Sequence, residues 1–392
     1  QLAVKSSGGD DTDNLQCALD AAVDNGISKI QLLDRSYSIG ALEIARFEGV
    51  LSGVSKARTN LDIEDDSVDC VAMEENGKAP AAIKFIEGSP RVQNMAITGG
   101  SFCMEHPEEP PYPYLLHFSG TATGTEECSN DVIFGVLDRV TLTSFSDQTS
   151  GVIAVSEGLR LGGCKEVLSG TLKVNRSEFR GFWVAVFTSM RAGSQVDINF
   201  NEFSENKFHL YFPNTNQSTY VVDNKFYSVS RTEKSEHGIT ITRDSESAPT
   251  NSKFFISNNT FENEGLDRIS FSIVLNHIDF GSTIKPVITS NNFRLKGDSA
   301  GIVEHGFSGG TISGNRFSGD ALYGIKIAAF SSERNSSNWT ITDNTGFGNL
   351  QSAYGDIALG IQSSSVIIGP GHGDDLSYFG TSNTDLSTGS GS

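Results

Sequence analysis

Apolar residues recur along this chain in two rhythms. Leu15, Ala18, Leu19, Ala22 and Val23 fall at helical spacing, which gathers their side chains on one face. Asp10-Asp11-Thr12-Asp13 precedes them with residues that cap a first turn, and Asn25-Gly26 closes the run. One short amphipathic helix is therefore predicted. After it the rhythm changes to two. Lys29-Ile30-Gln31-Leu32-Leu33, Ser36-Tyr37-Ser38-Ile39, Ala41-Leu42-Glu43-Ile44, Gly49-Val50-Leu51-Ser52-Gly53 and Leu61-Asp62-Ile63 are short alternating stretches parted by turn residues, which is how strands read.

Further along, an Asn-x-Phe step follows each β-branched stretch: Asn201-Glu202-Phe203, Asn224-Lys225-Phe226, Asn259-Thr260-Phe261, Asn291-Asn292-Phe293 and Asn315-Arg316-Phe317. Ser177-Glu178-Phe179 precedes the series and Asn344-Thr345-Gly346-Phe347 follows it, at intervals of 23 to 35 residues. A period of that size marks a solenoid in which each interval is one turn. Stacked turns would let each Asn amide bond its counterpart one turn on, with the Phe rings stacked inside the coil. These residues hold a fold and perform no chemistry. Earlier rungs are expected near Val92–Phe102, Val132–Phe145 and Gly151–Leu161, with Met104–Tyr114, rich in proline, projecting as a loop.

After each Asn-x-Phe step another strand follows. Alternation places Phe182, Phe208, Ile239, Phe271, Ile302 and Ile325 inside the coil. Trp183, His209, Thr240, Ser272, Val303 and Lys326 then form an outward column. A second column holds Ala185, Tyr211, Thr242, Val274, His305 and Ala328, with Arg243, Asn276 and His277 just past the strand ends. Of the 7 histidines, His209, His237, His277 and His305 lie on or beside this strand, the strongest concentration of chemistry in the chain.

The order Gly9-Asp10-Asp11-Thr12-Asp13-Asn14-Leu15-Gln16, Ala18-Leu19-Asp20-Ala21-Ala22, Ser36-Tyr37-Ser38-Ile39, then Gly49-Val50-Leu51-Ser52-Gly53 with Lys56, Thr59 and Leu61-Asp62-Ile63 resembles the N-terminal cap and first coils of the pectate-lyase-like superfamily. The resemblance implies an all-β fold, a right-handed parallel β-helix whose short helix plugs the open end of the solenoid. On this reading residues 1–379 are one β-helix domain, 1–28 the cap and 29–379 the coils, and 380–392 are a flexible tail. The superfamily's catalytic motifs do not carry over. The polygalacturonase-type carboxylate constellation, the Arg-x-x-Pro-x-x-Arg segment of calcium-dependent lyases and the Asp-Pro-His-Asp segment of the epimerases are all missing, and Gly371-His372-Gly373 stands alone in a glycine-rich turn.

Charge narrows the partners. A net charge of -19 argues against nucleic acid or an anionic membrane surface, which need clustered Lys and Arg. An acidic substrate would require a local basic groove or a bridging cation, so Ca2+ is the one cofactor left open and none is identified by motif. No apolar run is long enough to span a bilayer, so no membrane insertion is expected. Sequons at Asn175, Asn216, Asn258, Asn335 and Asn338 point to an extracellular or cell-surface protein. The 5 cysteines have no zinc or redox spacing. Cys103–Cys128 is the first disulfide expectation, Cys17–Cys70 the second, and Cys164 is left as a small filler.

A shallow face of stacked strands suits an extended polysaccharide, with Trp183, His237, Asn276, His277 and His305 as binding residues, and a secreted polysaccharide lyase or epimerase is expected ahead of a glycoside hydrolase. If the polymer is a uronate, β-elimination needs a base, a cation to neutralise the carboxylate and an acid for the leaving oxygen. His209 or Lys326 would be base, Arg243 the neutraliser and Tyr211 the acid. A glycoside hydrolase would instead use two of Glu236, Asp244, Asp279 and Glu304. The rival reading is a non-catalytic glycan-binding or adhesion protein. Oligomeric state is not legible here.

Overall fold

The computed structural model describes residues 1–64, 81–99, 114–120, 132–144, 150–154, 168–190, 193–213, 217–230, 236–243, 252–277, 284–307, 309–327, 336–346, 350–352, 357–359, 363–364, 367–368, 376–378 and 384–385. They form two compact units, Gln1–Glu202 and Phe203–Ser392. The bulk of the 104–114 loop, four of the cysteines, Asp244, Asp279 and Gly371–Gly373 lie outside the described residues. Cys17 is an exposed free thiol, so the Cys17–Cys70 expectation is not met.

The first unit opens with the strand Leu2–Val4, which pairs parallel with Lys29–Leu32. The predicted helix spans Thr12–Asp24 and buries Leu15, Leu19 and Ala22. It closes an open sheet edge in a specific way. Gln16 Nε2 donates to the Glu43 carbonyl at 3.0 Å and its Oε1 accepts from the Glu43 N–H at 3.3 Å, while Thr12 Oγ1 accepts from Gly40 N at 2.6 Å. Helix side chains thus occupy backbone groups that another strand would otherwise seek. Behind the cap, strands stack in parallel. Leu42–Phe47, Ala81–Gly88 and Tyr114–Ser119 form one stack. Arg91–Gly99, Val132–Ser144, Ser169–Asn175 and Gln195–Asn199 form another.

In the second unit the same coil repeats with three stacks. Ser218–Val222, Phe254–Ser257, Val287–Thr289, Gly310–Ser313 and Trp339–Thr342 make the first. Lys225–Ser230 with the leading halves of Thr260–His277 and Asn292–His305 makes the second. Phe208–Pro213, His237–Arg243, the trailing halves of those two long strands, and Tyr323–Ile327 make the third. Thr384–Asp385 still pairs with Ile367–Ile368, so strand pairing reaches into the expected tail. Among the described residues Thr12–Asp24 is the one α-helix, and no helix is long and apolar enough to cross a membrane.

Both ladders are present. Asn259 Oδ1 accepts from the backbone N–H and the side-chain amide of Asn224, and its own amide donates to Val221 O and Asn291 Oδ1, all at 2.9–3.0 Å. The pattern continues through Asn315 to Asn344. In the first unit Ser177 starts the series by accepting from Val140 N and donating its own N–H to Asn201 Oδ1. Phe203, Phe226, Phe261, Phe293 and Phe317 stack at centroid spacings of 5.0, 4.8, 4.9 and 4.7 Å, the rise of one rung. The fold is a parallel β-helix in which these buried columns set the register.

Candidate functional site

The third stack of the second unit presents the outward face on which the expected chemistry falls. Its register is fixed by inward columns. Leu210, Ile239, Ile273, Ile302 and Ile325 occupy one, and Phe212, Ile241, Leu275, Glu304 and Ile327 the other. Between them the outward column is Tyr211, Thr240, Val274, Val303 and Lys326. Beside it run Phe208, His237, Phe271, Ala300 and Tyr323 on one flank, and Pro213, Thr242, Asn276 and His305 on the other.

This register corrects the sequence-based columns at two strands. Phe208 and Phe271 are not inside; they point outward and sandwich His237, with ring centroids 4.9 and 5.2 Å apart and planes within 12° and 7°. His209 is not outward. It is fully buried beside the ladder rings Phe203 and Phe226. The Asn206 amide donates to its Nδ1 at 2.9 Å, which leaves Nε2 to donate to Ser228 Oγ at 2.8 Å. The physical reason is the corner. His209 and Leu210 are buried in succession because the chain bends into the strand there, so counting by twos from Phe208 slips the register. Ser272 is likewise buried rather than outward. Phe182, Ile239, Ile302 and Ile325 are inside as expected.

The remaining candidates are dispersed along the face. Tyr211 accepts from Thr242 Oγ1 at 3.4 Å. Arg243 and His277 are register partners at the strand ends, as are Asn276 and His305. Lys326 stands four rungs from Tyr211, about 19 Å at the usual strand spacing, and its Nζ lies 4.9 Å from the Tyr323 ring centroid. Trp183 belongs to the first unit, partly exposed just ahead of the strand Val184–Thr188. Of the carboxylates, Glu236 is buried at a corner where it accepts from Val229 N at 2.9 Å, and Glu304 lies inside the coil; neither lines the face. Among the described residues no group of three or more His, Cys, Asp or Glu side chains is placed to hold a metal ion.

What the sequence did not mark is how recessed and how polar the middle of this face is. Thr240 and Val303 point outward yet are 7% and 3% exposed. Thr240 Oγ1, His237 Nδ1 and Asn276 Oδ1 are buried without a hydrogen-bond partner among the described residues. His237 is held neutral, its pKa drawn down to about 4, first by desolvation between the two Phe rings and then by the Lys207 cation.

No family model matches the chain, and no curated protein matches it. Among solved structures it is similar to PfbA, a surface adhesin of Streptococcus pneumoniae, at 11% identity over 95% of this chain and 93% of that one, with a TM-score of 0.50. It is also similar to the A-module of the mannuronan C-5 epimerase AlgE6 of Azotobacter vinelandii, at 12% identity, 97% and 94% coverage and a TM-score of 0.48. A third match is an exopolygalacturonase from Thermotoga maritima, at 10% identity, 94% and 92% coverage and a TM-score of 0.44. At these identities the likeness is one of fold, the right-handed parallel β-helix.

Proposed function

We propose that this chain is an extracellular glycan-binding β-helix protein, and that an extended polysaccharide lies along the face from Phe208–Pro213 to Tyr323–Ile327. One observation carries the reading: Thr240 Oγ1, His237 Nδ1 and Asn276 Oδ1 stand on adjacent rungs of a recessed outward face without partners among the described residues. Leaving a buried polar atom unsatisfied costs roughly 1–3 kcal/mol, and sugar hydroxyls, which both donate and accept, would satisfy all three. The edges of the Phe208–His237–Phe271 stack supply an apolar wall beside them. The similarity to a surface adhesin and the exposed sequon residues Asn258 and Asn338 support work outside the cell.

Binding is preferred to cleavage because the proton-moving groups are not assembled: His209 is interior, His237 is stacked between Phe208 and Phe271, and Lys326 is four rungs from Tyr211. A lyase reading keeps one support, since Tyr211, Arg243 and His277 come from three successive rungs. There a base would take the proton beside the carboxylate, a C=C bond would form as the C–O bond breaks, and Tyr211 would protonate the leaving oxygen. Affinity electrophoresis against plant, algal and microbial polysaccharides, with unsaturated products and reducing ends followed in parallel, tests both. Retention by at least one polymer without product is expected, weakened about tenfold by Thr240→Val or Asn276→Ala. Growth of unsaturated product would favour the lyase, and retention by none of them would overturn the glycan-binding reading.

A further inference from the structure

Each ladder position, and the same corner of the two rungs before Ser177, is entered through one residue with positive φ. In the first unit these are Asn94, Arg139, Arg176 and Phe200, at 56°, 55°, 51° and 60°; in the second they are Asp223, Asn258, Ser290, Gly314 and Asp343. The left-handed conformation suits Gly, Asn and Asp and is costly for bulky side chains. The second unit obeys that preference closely. Three successive corners of the first unit do not. Asp138 pairs with Asn175 and Asn175 with Asn199, so Arg139, Arg176 and Phe200 follow one another at single-rung steps, about 4.8 Å apart.

Their surroundings point outward. Phe200 is 62% exposed, its ring open to solvent. The Asp138 carboxylate is 1% exposed, and Arg176 grips it through Nε and Nη2, both at 2.8 Å, while Arg91 Nη2 adds a bond at 2.9 Å. Arg139 Nη2 only approaches it, at 3.4 Å. Among the described residues one carboxylate balances one of three guanidiniums, which leaves two positive charges concentrated on a chain of net charge -19. Each guanidinium has five donors in a fork that fits a carboxylate or sulfate. At its left-handed corner Arg139 carries backbone strain that Asn would relieve.

We propose that the ridge Arg139–Arg176–Phe200, with Arg91 behind it, binds an acidic sugar residue of a polysaccharide. The guanidiniums take the carboxylate or sulfate group, and the Phe200 ring lies against the C–H face of the sugar. This rests on the reading above for ligand class alone, since the residues belong to the first unit and the face to the second.

Calorimetric titration with oligogalacturonate and with its neutral methyl ester, at low and at physiological salt, tests it. The wild type should prefer the acid form. Arg139→Asn and Phe200→Asn place a corner-compatible residue at each site, so the melting temperature should stay or rise while affinity for the acid form falls about tenfold. The conservative Arg139→Lys should recover part of that loss. Equal binding of acid and ester by the wild type, undiminished binding by both variants, or displacement by inorganic phosphate at the concentration where the oligomer itself binds would overturn the proposal. Failure of the second-unit face alone would look different: Thr240→Val would leave all glycan binding unchanged while the preference for acid over ester persisted.

Discussion

Glu304 shows how much a single position depends on register. In Val303-Glu304-His305 it reads as a carboxylate on a carbohydrate-binding face, yet it sits in the inward column between Leu275 and Ile327. Its Oε1 accepts from Phe307 N, the Ser336 hydroxyl adds a bond, and Oε2 has no partner among the described residues. Burial pushes its pKa from 4.5 up to about 8, against those two bonds. A raised carboxyl pKa means that the folded state holds a proton the unfolded chain releases. Glu304 therefore costs nothing below about pH 4.5, and its penalty grows as pH rises through 8, to roughly 3–5 kcal/mol. Glu304→Gln keeps an acceptor for Phe307 N and removes the ionisation. It should raise the midpoint of urea unfolding at pH 8.5 and leave it nearly unchanged at pH 4.5; equal effects at both would show that Glu304 is not protonated in the fold.

At the scale of the element, the ladders were legible and the face was not, for one reason. Ladder positions favour the same residue on successive rungs, because an Asn side chain both accepts from and donates to the Asn at the same corner of its neighbours, so Asn-x-Phe repeats in the sequence itself. Outward columns need only tolerate solvent, and Tyr211, Thr240, Val274, Val303 and Lys326 share no chemistry that would betray their alignment. The helix cap was legible by its spacing, whereas the Gln16 bonds to Glu43 were not. The ladder's cost can be measured. Asn259→Ala strips acceptors from the Asn224 N–H and a donor from the Val221 carbonyl, which should destabilise by about 3 kcal/mol. Asn259→Ala with Asn291→Ala should cost less than the two singles added, because the pair shares a bond. Strict additivity in denaturant unfolding would show that the rungs are energetically independent.

For the whole molecule, buried titratable groups of opposite sense shape one pH profile. His237 has its pKa lowered from 6.5 to about 4, so the unfolded chain binds the extra proton and stability is lost as pH falls from about 6.5 through 4. Glu304, raised from 4.5 to about 8, loses stability as pH rises across its own window. Between about 4.5 and 6.5 the two slopes oppose each other and nearly cancel. Above 6.5 Glu304 acts alone, joined by self-repulsion in a chain whose net charge is -19 at pH 7. Below 4.5 His237 acts alone until Asp10 and Asp11, whose pKa values are lowered by hydrogen bonds around the helix start, are protonated in turn. Stability should therefore be flat from about pH 4.5 to 6.5 and fall on both sides. The two slopes can be separated: Glu304→Gln should leave stability rising from about pH 4 to 6.5 and level above that, and His237→Phe, which continues the Phe208–Phe271 stack, should leave it level below about pH 4.5 and falling from there towards 8. A melting-temperature series across pH for the wild type and both variants decides the matter, since a single optimum unmoved by either substitution would mean that the profile is set by surface charge alone.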